Sequence, residues 1–144
     1  MTSGHVTELG DLPVAARALL ERERRGVMTT LDPDGSGHSV PVVFAVVGDE
    51  IVSPIDHKPK SGRQLRRLSN IERDDRVTLL VDHWDEDWKR LAWVMVRAHA
   101  VVHEAAQPEV ASALNARYPQ YAPDELPDAL IRMLPTKLSW WSWD

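Results

Sequence analysis

The stretch "VMTTLDPDGSGHSVPVVFAVVGDEIVSPI", Val27 to Ile55, limits the fold more than any other part of the chain. Val, Ile and Thr dominate three runs within it, and "DPDG" and "GD" separate the runs with residues that tight turns use. Branched side chains pack well on a pleated surface, and short turns return the chain antiparallel, so the stretch predicts three antiparallel strands in a meander. "RVTLLVD" and "LAWVMVRAHAVVH" continue the pattern as a fourth and a fifth strand around the polar connection "HWDEDWKR", and "TKLSWWSW" supplies a sixth. Pro41 and Pro54 cannot donate to a ladder, which places both at sheet edges or bulges.

Helical spacing appears elsewhere. Leu12, Ala15, Ala16, Leu19 and Leu20 recur at three- and four-residue intervals, with Asp11 as a cap, Pro13 in the first turn and Gly26 as a stop. "RQLRRLSNIERDD" sets Leu65, Leu68 and Ile71 on one face and its arginines on the other. "PEVASALNARY" and "DELPDALIRML" predict two more helices. Without repeat or linker, residues 1–144 are expected to form a single domain. Its expected class is mainly β with flanking helices (α+β), a six-stranded antiparallel barrel carrying helices on its rim.

Composition narrows the chemistry. Zero cysteines exclude disulfides, thiolate nucleophiles, iron–sulfur clusters and cysteine-bound zinc. A net charge of -5 argues against nucleic acid as a partner, and no apolar run approaches the roughly 20 residues of a membrane span. The N-terminus "MTSGHVTELGD" lacks the basic-then-apolar order of a secretory signal, so a cytoplasmic location is expected. Against this acidic background, Lys58, Lys60, Arg63, Arg66 and Arg67 crowd into ten residues without one carboxylate. They stand at the start of a predicted helix, where free N–H groups and the dipole attract anions, so a small anionic ligand fits better than a polymer. No metal site is assigned: His99 and His103 are four apart on a predicted strand, which separates them by about 13 Å, and "DHWDEDW" lacks a calcium-loop pattern. No GxGxxG follows a strand, and no nucleophile–base or paired-carboxylate set is present, so no catalytic side chain is assigned; Asp56 and His57 are solvated polar residues at most able to pass a proton.

The order of "DHKPK", "RLSNIERDDRVTLLVDHWDEDW" and "LAWVMVRAHA" resembles the split β-barrel of the pyridoxamine 5'-phosphate oxidase-like superfamily, which is FMN-binding-like in fold, and within it the branch that uses the deazaflavin coenzyme F420. The resemblance spans nearly the whole chain. It implies a hydride-transferring oxidoreductase acting on a small organic molecule, working as a homodimer with two cofactor sites at the subunit interface. It implies Lys58 and Lys60, with Arg63 or Arg66, on the cofactor phosphate; Val42, Val43, Pro54 and Ile55 as the floor under the ring, through backbone groups; and Trp93 reaching into the partner's site. Two alternatives stand beside it, an FMN-dependent flavoprotein of the same superfamily and a non-catalytic protein that holds F420 or a tetrapyrrole. Three tryptophans in "SWWSWD" predict a subunit interface and pocket wall, with Trp141 and Trp143 on one sheet face and Trp140 on the other.

Overall fold

The computed structural model describes residues 1–55, 65–103, 107–121 and 129–144. Among these residues the chain forms eight strands: β1 (Thr2–Val6), β2 (Gly26–Leu31), β3 (Gly37–Val42), β4 (Ala45–Val47), β5 (Glu50–Ile55), β6 (Arg76–His83), β7 (Ala92–His103) and β8 (Ala129–Ser142). Three α-helices flank them, α1 (Val14–Arg22), α2 (Arg66–Arg73) and α3 (Pro108–Arg117). The mainly β, α+β class holds, with eight strands in place of six and three helices in place of four.

The strands join one antiparallel sheet in the order β3-β2-β6-β7-β8-β5-β4, with β1 added along β8. The expected three-strand meander is two hairpins instead: β2 pairs β3, β4 pairs β5, and β3 and β4 stand at opposite ends of the path. Only Val43 and Phe44 link those two ends. Three Cα steps reach about 11 Å, so the sheet coils until its outer strands nearly meet, without a ladder closing the ring among the described residues. The hairpin turns use Gly35 (φ 85) and Gly48 (φ 62), where a side chain would be strained. Pro41 lies on the edge strand β3, and Pro54 lies beyond the part of β5 that β4 covers, as their missing donors require.

Alternation along β6 and β7 buries Val77, Leu79, Val81, Val94, Val96, Ala98 and Ala100 against α1 and α2 and turns the residues between them outward. In α1, Ala16, Leu19 and Leu20 are buried while Ala15 is exposed, and Pro13 holds the cap position in place of Asp11, which sits in a 3₁₀ turn. The largest correction concerns "DELPDALIRML", where Ala129 to Leu134 begin β8 and not a helix. Ile131 and Met133 face the main core, while Leu130 faces a second cluster with Val110, Leu114 and Tyr118 of the α3 region. A strand covered on both faces loses its alternation and reads as a continuous apolar run, which short segments cannot tell from a helix.

Candidate functional site

Two residues packed on the core bracket the first part of the cationic run. Ile55, the last residue of β5, is buried, and Leu65, at the cap of α2, packs on the main core. Lys58, Lys60 and Arg63 lie between these anchors, outside the described residues. In the first turn of α2 there is no acidic residue, and no side chain caps the helix.

Arg66 already has a carboxylate. Its Nε and Nη2 donate to the two oxygens of Asp32, at 2.8 Å each, and Asn70 Nδ2 donates to Asp32 Oδ1 and to Thr30 Oγ1, at 3.0 Å each. Arg73 Nη2 donates to Asn70 Oδ1 at 3.0 Å and to the Leu31 carbonyl. The Arg66 hydrogen bond, then that of Asn70, holds the Asp32 carboxyl below its ordinary value, and Asp32 in turn raises Arg66. Arg66, which with Arg63 is one of two candidates for the cofactor phosphate, thus braces α2 against the end of β2. Arg67 is half-buried with a shielded Nε, so it does not belong to a purely solvated helix face. Nothing in the local pattern of "TTLD" announced Asp32 as the partner, because the pair spans two elements far apart in sequence.

The residues expected to floor a ring do come together in part. Ser53 Oγ donates to the Val43 carbonyl at 2.8 Å, tying the β3–β4 crossing to β5. Val42, Pro54 and Ile55 are buried and Val43 is half-buried, so what they offer a ligand is main chain. β4 pairs β5 only from Glu50 to Val52, which leaves the β4 side of Ser53 to Ile55 without a ladder. An unpaired strand edge beside the run suits the pyrimidine edge of a flavin-like ring, whose donors and acceptors match backbone groups.

Trp93 stands on the outward face of the sheet, half-exposed, opposite Asp82 on β6 and Trp141 on β8. Trp140 points the other way into the main core, as alternation predicts. An apolar row crosses the same outward face through Pro41, Val27, Leu80 and Met95, with Val27 41% and Leu80 37% exposed. Toward the Leu31 end of β2 the face turns polar around a cleft of about 310 Å³ that includes Thr29, Arg76, Arg97 and His99. A second cleft, of about 270 Å³, lies at the β4–β5 turn beside His103 and the Arg132–Glu50 ion pair, whose two hydrogen bonds are 2.7 Å each. Among the described residues no three His, Asp or Glu side chains are grouped to hold a metal, and no helix is long and apolar enough to cross a membrane.

Comparison with known proteins gives a consistent outcome. The family model described as pyridoxamine 5'-phosphate oxidase matches residues 12–142. No curated protein matches. Among solved structures, a conserved hypothetical protein of Mycobacterium tuberculosis superposes with a TM-score of 0.73 at 22% identity, covering 92% of this chain and 86% of its own. A structure named F420 reductase gives 0.64 at 23% identity, covering 88% of this chain and 98% of its own. An FAD-binding protein of Mesorhizobium loti gives 0.63 at 14% identity, covering 97% of each chain. At such identities these structures share the fold with this chain.

Proposed function

Because the chain belongs to the pyridoxamine 5'-phosphate oxidase family, we propose that it is an oxidoreductase that passes a hydride between the deazaflavin coenzyme F420 and a small organic substrate. The observation that carries this reading is the cationic run: five bases in ten residues of an acidic chain, three of them between Ile55 and Leu65, which pack on the core. A single flavin phosphate needs one or two of them, whereas F420 brings a phosphodiester and a glutamate tail. Lys58 and Lys60 hold the phosphodiester, with Arg63 beside them, and Arg66 keeps α2 in place through Asp32. The open edge of β5 and the Val43 main chain orient the ring. Bound deazaflavin supplies the hydride chemistry and resists oxygen; the protein supplies position and a dry face.

The outward sheet face supports a homodimer as the working form. Val27, Leu80, Met95, Trp93 and Trp141 form a broad apolar surface that a second copy would cover, placing Trp93 against the partner's cofactor. Titration of the purified protein with F420 and with FMN tests the assignment. F420 binds tighter, and Lys60→Ala weakens it roughly ten- to hundredfold, in line with one charge-assisted contact. Equal affinity for the two cofactors, or tighter FMN, overturns F420 in favour of the flavin.

A further inference from the structure

We propose a second anion site, on the outward face of the sheet and separate from the cationic run: the cleft between Arg76, Arg97 and His99 takes a small molecule through a carboxylate or phosphate group. The strand registers build it. Thr29, Thr78, Arg97 and Lys137 occupy one row across β2, β6, β7 and β8, and Arg76 and His99 are paired in the row beside it. The β7–β8 register jumps between Arg97 and Ala98, leaving Thr136 without a partner in the ladder. A bulge of this kind re-aims side chains and interrupts a flat face, and the cleft of about 310 Å³ opens here, with Thr136 in its lining.

Two of these three side chains are fixed in advance. Arg76 donates from Nε and Nη2 to the carboxylate of Asp74, at 3.0 and 2.7 Å. His99 Nδ1 donates to Asp75 Oδ1 at 2.9 Å, which orients the ring. Arg76 is thereby balanced by its own carboxylate, and His99 is held by Asp75. Arg97 and, opposite it, Lys137 make no ion pair among the described residues, so the charge left over is positive and centred on a guanidinium. A guanidinium presents a planar fork that fits carboxylate and phosphate, and the Thr78 hydroxyl stands next to it in the row. Leu31 gives the cleft an apolar wall, which suits the carbon body of a small acid. None of these residues belongs to the segment from Lys58 to Arg67, so the site stands whichever cofactor the protein binds.

The test follows the His99 ring and the Thr29 and Thr78 amides by NMR in the cofactor-free protein. Succinate and, separately, inorganic phosphate are titrated at constant ionic strength, so that general screening does not move the signals. Saturable shifts confined to these groups are expected, about tenfold weaker in Arg97→Gln and unchanged in Lys60→Ala. Whichever probe binds tighter names the anion. Shifts that never saturate, an Arg97→Gln titration equal to the parent, or an equal loss in Lys60→Ala overturns the site. Arg97 is exposed, so its variant stays folded; Arg97→Lys, which keeps the charge and loses the fork, gives an intermediate affinity if the guanidinium itself does the binding.

Discussion

Helices α2 and α3 hold the sheet by opposite means. At the end of α3, Tyr118 is buried, and its hydroxyl accepts from the Phe44 amide and from Arg117 Nε at 3.0 Å each. Its proton is shared between the Phe44 carbonyl at 2.7 Å and the Arg24 carbonyl at 2.9 Å. Arg117 lies over the Phe44 ring, 4.7 Å from its centroid, and donates to the carbonyls of Leu20, Glu21 and Glu23, the groups that the last turn of α1 leaves without partners. Phe44 is one of the two residues on which the chain crosses between the outer strands, so a clasp of a buried phenol and a guanidinium set on neutral carbonyls locks the closure of the sheet. α2, which ends the cationic run, is held by Arg66, Asp32 and Arg73 in contact with solvent, with one buried amide, Asn70, at the centre. Buried hydrogen bonds sit where the fold closes, and exposed charge sits beside the proposed anion site.

The largest effect is expected at the clasp. Tyr118→Phe keeps the ring and deletes the hydroxyl, stranding the buried Phe44 amide; the loss should be about 1–3 kcal/mol in urea unfolding, with little change on adding salt. A loss of a few tenths, or one that salt removes, would erase the contrast between the two helices. Asn70→Ala comes next, at about 1 kcal/mol, because it removes the donor shared by Thr30 and Asp32 and the acceptor of Arg73. Its sharper signature is on Asp32, whose carboxyl should titrate higher once the second of its two side-chain donors is gone.

The contrast also separates what the sequence makes legible from what it hides. Signals carried by one element survive: the alternation of β6 and β7, the Leu65–Leu68–Ile71 face of α2, the turns around Gly35 and Gly48, and the opposed faces of Trp140 and Trp141 are all present as read. Signals that depend on a distant element do not. The start of β8 reads as a helix because the α3 region covers its second face, and β3 and β4 read as neighbours because they are adjacent in sequence while the coil of the sheet is not visible there. The Arg66–Asp32 pair is hidden for the same reason, since Asp32 lies in the distant turn between β2 and β3. For the candidate anion cleft a local signal did exist: Arg97 and His99, two apart on a strand, had to share a face.

The smallest effect is a dependence on acid, and it belongs to the α2 side alone. Asp32 and Asp74 both titrate below their ordinary value, Asp32 through Arg66 and Asn70, and Asp74 through Arg76, down to about 2. A carboxyl with a depressed folded value contributes its stability in full above the unfolded value, about 3.9, and loses it as pH falls through the folded one. The contribution should therefore fade from about pH 4 downward, reaching about pH 2 for Asp74. Asp32→Asn removes the ionisable group from the brace, so the gap in urea stability between parent and Asp32→Asn should narrow below pH 4. The gap between parent and Tyr118→Phe should hold constant through the same range, since that substitution removes no carboxyl or carboxyl partner. Sodium chloride near 1 M shortens the screening distance to about 3 Å and should narrow the first gap while leaving the second unchanged. If both gaps narrow together in acid and in salt, the clasp and the brace respond as one electrostatic unit, and α2 has no adjustability of its own to lend to anion binding.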